Sequence, residues 1–385
     1  MGRSQGASGL ENDVRSKRQA AGLSQQALAT RCGLTRQAIN AIEAGHYAPS
    51  TSVALRLARV LGCTVEALFR LPDVAPHIEA EFLGDSVPSA AVRTRCQVAR
   101  VGPRLLARPL TGALAACTAA DGLVVPAATK ARRAGHRVDI ELLVDTQVLE
   151  NTVVVLGCDP ALALLGAHLT RRYPTLRLVW VPRSSLTALR MLGRGEAHAA
   201  GTHLWDPESG ESNMPYVRRE LAGHRLVVVT LSQWQQGLMV APGNPKGITG
   251  PADLARPEIT LVNRDVDSGS RMLFDVWLRE AGIAPHWVSG YGREVLSHLA
   301  VAEAVASGGA DVGPGILAVA QALGLGFIPL QEERYDLVIP IEFLSTPPVQ
   351  ALLDVVTSRR FRVELEALGG YDGSHAGTVV AELGA

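Results

Sequence analysis

One stretch of this chain gathers groups suited to holding a small anion. The run Asn263-Arg264-Asp265-Val266-Asp267-Ser268-Gly269-Ser270-Arg271 follows an apolar segment and opens a helical pattern. It offers two guanidiniums, two hydroxyls and the free amides of a helix N-terminus, where the helix dipole favours negative charge. Ser184 and Ser185 supply a second such end, after Pro182-Arg183. Two more turns, Gly157-Cys158-Asp159-Pro160 and Gly201-Thr202-His203-Leu204-Trp205-Asp206, put Asp159 and His203 beside strand ends. The expected ligand-binding set is therefore Asp159, Ser184, Ser185, His203, Arg264, Ser268, Ser270 and Arg271. Competing roles are open for some of them. Arg264 has Asp265 and Asp267 as near partners, and His203 suits packing with a hydrogen bond as well as ligation. Asp159 repels a dianion unless it caps its helix, and Cys158 has neither a partner cysteine nor a recognisable metal spacing.

A second chemistry lies near the N-terminus. With Ile39 and Ile42 three apart on one helical face, Arg36, Gln37 and Asn40 fall on the other. These side chains suit base edges and phosphates in a major groove. Gln25 and Gln26 open the preceding helix and can reach phosphate together with its amides. Gln25, Gln26, Thr35, Arg36, Gln37 and Asn40 form the expected DNA-facing set.

The elements that must position these groups are legible in the pattern. Residues 1–71 read as five short helical blocks, about 11–21, one capped by Ser24 and ended by Gly33, one capped by Thr35 and closed by Gly45, then 51–61 and 64–70. The middle pair, joined at a tight Gly turn, has helix-turn-helix geometry. Residues 72–90, interrupted by Pro72, Pro76 and Pro88, read as a linker, and 91–150 as a small β module with runs at 96–101, 104–110, 122–125 and 138–144. Arg132, Arg133, His136 and Arg137 cluster there as a solvated loop. From 151 to 385 the pattern alternates strand and helix. Strands are expected at 152–157, 176–181, 225–230, 258–263, 327–330 and 336–339, and helices at 161–172, 185–192, 269–281, 293–307, 315–323, 347–357 and 360–368. Continuous apolar strands between helices imply parallel sheets covered on both faces, with ligands at the carboxyl ends of the strands.

Charge divides along the chain in the same way. The 385 residues balance 37 basic against 37 acidic groups, but residues 1–71 carry nine basic and four acidic, +5, leaving −5 on the remainder. A basic head and an acidic body suit different partners. The first thirty residues hold no apolar signal-peptide core, and no apolar run reaches the roughly 18 residues that span a bilayer. Five scattered cysteines show no framework of pairs. Together these features suggest a cytoplasmic protein with no membrane partner.

Three segments resemble known families. Leu23-Ser24-Gln25-Gln26-Ala27-Leu28-Ala29, Gly33-Leu34-Thr35, Ile39-Asn40-Ala41-Ile42-Glu43-Ala44-Gly45 and Pro49-Ser50 resemble the phage-repressor-like (XRE/Cro-C1) helix-turn-helix family over about 60 residues. Ala120-Asp121-Gly122-Leu123-Val124-Val125-Pro126 with Ala134-Gly135-His136-Arg137-Val138 is similar to the C-terminal β-barrel of the molybdotransferases. Asp159-Pro160-Ala161-Leu162, Gly195-Glu196-Ala197-His198, Gly201-Thr202-His203-Leu204, Gly243-Asn244-Pro245-Lys246-Gly247, Ser268-Gly269-Ser270-Arg271 and Ala310-Asp311-Val312-Gly313 resemble a type II periplasmic-binding-protein fold without an export signal, in the branch tied to molybdate and tungstate. The carriers of that branch hold the oxyanion through neutral hydroxyls and amides, whereas Arg264 and Arg271 are charged.

The resemblances imply a multi-domain chain: an all-α helix-turn-helix head, a small β module and a two-lobed α/β body. They imply a one-component regulator that binds operator DNA as a homodimer and senses a small anion, molybdate or tungstate, with no resident cofactor or metal. Sensing of an organic acid or amino acid through the same fold is one alternative. An autoregulated protein of molybdenum-cofactor biosynthesis is another. No turn pairs a nucleophile with a general base and no phosphate-binding loop appears, so an enzyme is not expected.

Overall fold

In the computed structural model, residues 10–71, 76–84, 93–125 and 137–384 are described. Pro72, Pro88, Pro126 and the cluster Arg132, Arg133 and His136 lie outside them. The chain divides into two compact units, residues 1–76 and 77–385.

The first unit holds α1 (Val14–Ala20), α2 (Gln25–Cys32), α3 (Arg36–Glu43) and α4 (Thr51–Leu61). Ser24, Thr35 and Ser50 each accept a backbone N–H of the helix they open, which satisfies one of its otherwise orphaned donors. Gly33 and Gly62 end α2 and α4 in the left-handed conformation. Leu28, Ile39, Ile42 and Leu57 are wholly buried between the helices. The outer blocks differ from the pattern read in the sequence. Glu11–Asn12 pairs with Phe69–Arg70 as a short antiparallel ladder, which shortens α1 and leaves a single turn in place of a fifth helix.

The second unit opens with a closed five-stranded barrel. Its strands are β1 (His77–Phe82), β2 (Thr94–Val101), β3 (Arg104–Pro109), β4 (Gly122–Val125) and β5 (Arg137–Leu142), in spatial order 1-3-2-4-5 with β5 pairing back to β1. β1 lies inside the span read as a linker. Its alternation is real, since Ala80 and Phe82 are buried, but the flanking prolines obscure a six-residue strand. The barrel is stapled to the α/β body. The buried carboxylate of Asp121 receives Arg177 at 2.6 and 2.8 Å, and Ala99, Val101 and Leu106 join the main core of the body.

After α5 (Thr146–Glu150), the first lobe is built from β6 (Thr152–Gly157), α6 (Ala161–Arg172), β7 (Arg177–Pro182), α7 (Ser185–Gly193), β8 (Ala199–Thr202), α8 (Met214–Glu220) and the start of β9 (Leu226–Val240). The second lobe holds β10 (Asn263–Arg264), α9 (Gly269–Glu280), β11 (Glu294–Val295), α10 (His298–Ala306), β12 (Val312–Ile316) and α11 (Leu317–Ala322). β13 (Gly326–Pro340) then returns to the first lobe, which α12 (Pro347–Thr357) and α13 (Arg359–Ala367) complete. β9 and β13 run antiparallel and belong to both lobes. The first-lobe order is β7-β6-β8-β13-β9. The second repeats it as β11-β10-β12-β9-β13, with β10 joined to β12 through an isolated parallel bridge from Leu261, in place of the strand expected at 258–263, to Val312. One apolar core runs through the first lobe and on into α10 and α11 of the second, and a further core lies wholly in the second lobe.

The pattern read in the sequence differs most at these two strands. β9 continues ten residues beyond the expected 225–230, and the expected strands 327–330 and 336–339 are one strand. Polar residues in mid-strand, Ser232 to Gln236 and Gln331 to Arg334, interrupt the apolar run and read as loops. Likewise, Ala199–Thr202 is a strand where the sequence suggested only a turn.

Candidate functional site

The strand ends of the two lobes meet in a closed, buried cleft whose base is formed by β9 and β13, the strands both lobes share. Residues alternate across a strand, so Ser232, Trp234 and Gln236 of β9 share one face with Glu333 and Tyr335 of β13. All five are buried. From the first lobe, Cys158 and Asp159 follow β6, Ser184 follows β7 and His203 follows β8. From the second, Arg264 ends β10, Ser268 to Ser270 follow it, and His298 follows β11. The lobes are in close contact. A Cβ on Gly269 would stand 1.9 Å from the carbonyl oxygen of His203, so only glycine lets α9 start there.

His203 is the hub. Its Nδ1 lies 3.0 Å from Glu333 Oε2 and its Nε2 lies 3.2 Å from Cys158 Sγ. Trp234 meets it edge-on at 4.8 Å and donates Nε1 to Glu333 Oε2 at 3.4 Å. Burial alone pulls the His203 pKa down, but Cys158 and Glu333 outweigh it and raise the pKa to about 10. Asp159 accepts the amide of Ala161 at 2.8 Å and the Tyr371 hydroxyl at 2.6 Å through Oδ1. It thus caps its helix, yet burial still raises its pKa to about 6.

The cluster leaves several buried atoms without a hydrogen-bond partner among the described residues. They include Nε and Nη1 of Arg264, Oγ of Ser270 and Ser232, Oγ1 of Thr202, both amide atoms of Gln236, Oδ2 of Asp159, Oε1 of Glu333 and both ring nitrogens of His298. Each such group costs about 1–3 kcal/mol if nothing satisfies it. So many in one place mark a site built to receive something.

The expected ligand residues divide accordingly. Arg264 is wholly buried; Nη2 donates to Leu296 O at 3.2 Å and lies 3.6 Å from Asp265, so its other donors stay available. Ser270, His203 and Asp159 belong to the same cluster. Ser185 accepts the His203 amide at 3.3 Å and supports that residue from behind. Ser268 caps α9. Arg271 is turned away: it bonds Asp275, Glu294 and Arg264 O and lies over the Tyr291 ring at 4.2 Å. Ser184 is also otherwise engaged, donating to Asp265 across the lobes at 2.5 Å. Beside it, Asp267 receives Thr187 Oγ1 at 2.8 Å, Arg190 at 3.3 Å and, through its carbonyl, the Leu186 amide at 3.2 Å. The two acids therefore latch α7 to the loop before α9. Glu333, Trp234, Gln236 and His298 were not singled out in the sequence; only their clustering in three dimensions exposes them.

In the head, Gln26, Thr35, Arg36, Gln37 and Asn40 are exposed. Gln25 is half-buried and donates to Glu43 at 2.9 Å, the same carboxylate that Arg18 grips at 2.6 Å. It helps join α2 to α3 and is less free to reach a partner than the sequence suggested.

These two units define a class: a helix-turn-helix head and a two-lobed body that encloses a polar site. Residues 14–68 match the family model described as helix-turn-helix, and residues 166–357 match that of the PBP superfamily domain. The chain belongs to the family of the uncharacterized protein YvgK of Bacillus subtilis, to which it is 34% identical over 230 residues, 60% of this chain and 74% of that one. An uncharacterized HTH-type transcriptional regulator of Methanothermobacter thermautotrophicus is 51% identical over 49 residues, 13% of this chain and 71% of the relative. Among solved structures, a putative phosphate ABC transporter substrate-binding protein of Clostridium perfringens with bound phosphate aligns at 12% identity and a TM-score of 0.44, over 58% of this chain and 99% of that one. Among the described residues, no helix is long and apolar enough to cross a membrane.

Proposed function

We propose that this protein is a one-component transcriptional regulator whose head binds operator DNA and whose body closes on a small anion. The observation that carries the ligand class is Arg264, a fully buried guanidinium with Nε and Nη1 unpartnered among the described residues. Asp265 faces Nη2 alone, at 3.6 Å, and an anionic ligand on Nε and Nη1 satisfies the buried donors that this pair leaves bare. His203, raised toward the charged form, and the free hydroxyls of Ser270 and Thr202 support the same reading. Molybdate or tungstate is the anion that the sequence resemblance favours, and a homodimer reading two half-sites is the assembly it favours.

A second ligand class has its own support. Asp159 Oδ2 and Glu333 Oε1 are buried acceptors with no donor among the described residues, so a ligand bearing an N–H or O–H group beside its anionic end, such as an amino acid or hydroxy acid, satisfies both. The deciding experiment is a titration of the full chain with molybdate, tungstate, sulfate, small carboxylates and amino acids, read by tryptophan fluorescence. Trp234 sits in the cluster and reports on it. Saturable quenching by an oxyanion supports the first class and by an amino acid the second. No response to any anionic ligand refutes the anion-sensor reading.

A further inference from the structure

We propose that the buried cluster around His203 is also a binding site for a thiophilic divalent cation of the zinc class, held by Cys158 Sγ, His203 Nε2 and a ring nitrogen of His298. The three residues are separated by 45 and 95 positions in the sequence, yet all are buried and one ligand atom from each lies within 4.8 Å of the others. The distance already fixed between Cys158 Sγ and His203 Nε2, 3.2 Å, is slightly under the spacing of a sulfur and a nitrogen ligand on one tetrahedral ion, about 3.5 Å from metal–ligand bonds of about 2.3 and 2.0 Å.

Two independent features point to a ligand here. His298 is wholly buried with neither ring nitrogen bonded among the described residues. The ring packs against Trp234 at 5.6 Å, but packing leaves both nitrogens bare, and a bare imidazole nitrogen is a ready metal ligand. The other feature is the support behind His203. Its Nδ1 faces Glu333 Oε2 at 3.0 Å, and Trp234 braces that carboxylate. A carboxylate behind the far nitrogen of a ligating histidine fixes its tautomer and raises its basicity, the usual arrangement around protein-bound zinc.

Cys158, His203 and Glu333 also have the outline of a thiol-nucleophile triad, but a triad gives His298 nothing to do. Metal binding accounts for all four residues. It releases to solvent the proton held between Sγ and Nε2, so affinity falls as pH falls. Three protein ligands leave one tetrahedral position open, and the bare donors of Arg264 suit an anion as the fourth ligand. That last point rests on the anion reading above; the three-residue site does not.

The test uses the purified full chain, stripped with chelator and titrated with Co2+ and Zn2+. We expect one equivalent bound per chain and a thiolate-to-cobalt charge-transfer band. Cys158→Ser removes the band, His298→Gln weakens binding at least tenfold, and Glu333→Gln weakens it about 10- to 100-fold, with circular dichroism unchanged. A chain without the charge-transfer band, or a stoichiometry that Cys158→Ser and His298→Gln both leave intact, overturns the proposal. Rapid alkylation of Cys158 that saturating Zn2+ does not slow also overturns it, in favour of the triad. Because no anion is present, the outcome is separate from that of the anion titration.

Discussion

Arg264 and Arg271 are seven residues apart and look equivalent in sequence, yet their surroundings give them opposite roles. Arg271 is surrounded by Asp275, Glu294 and the Tyr291 ring and holds the second lobe together. Arg264 keeps two donors bare. Arg264→Gln should therefore weaken anion binding by about 2–5 kcal/mol, at least about thirtyfold, as expected for losing a buried, hydrogen-bonded charge; calorimetry on the folded variant measures it, and an unchanged Kd removes Arg264 from the site. His198 offers a prediction on stability. Burial lowers its pKa to about 4, and its Nδ1 accepts the Val154 amide at 3.0 Å. Below its ordinary value of 6.5 the unfolded chain takes up a proton that the folded chain refuses. Stability from this residue is thus intact above about pH 6.5 and lost as pH falls toward 4, by up to about 3 kcal/mol. His198→Gln, which can still accept from Val154, should show a smaller drop in Tm between about pH 7 and 4.5 than the parent. An equal drop would mean that His198 is not the titrating group.

At the scale of elements, regular local patterns were legible and the site only in part. The capped helices α2, α3 and α4 carry their own signals in Ser24, Thr35, Ser50, Gly33 and Gly62, and β6 and α6 stand at 152–157 and 161–172 as their apolar runs imply. β9 and β13 broke the pattern because their middles are polar, and those polar residues are the base of the cleft. Strands that gather Ser232, Trp234 and Gln236 of β9 with Glu333 of β13 on one face cannot also read as apolar strands. Turns such as 157–160 and 263–271 were visible because strand ends are where ligands sit; His298 was hidden because nothing local distinguishes it from a core histidine. Two predictions belong here. Gln37 and Asn40 lie on the exposed face of α3, so changing both to Ala should cost about 1–3 kcal/mol of discrimination per lost base contact while leaving anion binding intact. Binding measured on cognate and scrambled duplexes checks this, and unaltered selectivity would remove α3 as the reading helix. Asp267 latches α7 to the loop before α9. Asp267→Ala should raise the anion Kd about fivefold, the loss of about 1 kcal/mol of closure contacts; no change would mean that closure does not depend on this latch.

For the whole molecule, the division of charge seen in the sequence takes on a physical meaning. The head carries +5 and exposes Arg36, Gln37 and Asn40; the body carries −5 and hides the bare guanidinium of Arg264 inside a cleft. On the proposed reading, the basic head is drawn to the phosphate backbone and the acidic body is repelled by it. Regulation then requires a coupling free energy between the two sites, and coupling is reciprocal: whatever factor the anion applies to operator affinity, saturating operator must apply to anion affinity. We expect that factor to fall between about 5 and 150, the range of about 1–3 kcal/mol. It is measured by titrating the anion into the full chain with and without a saturating operator duplex, and by titrating operator with and without anion. The Arg264→Gln chain should bind operator as the parent does without anion and need at least about thirtyfold more anion to show the same shift. If the parent's anion affinity is the same with and without DNA, the two units are not coupled and the chain is not a ligand-responsive regulator, even though each unit binds its own partner.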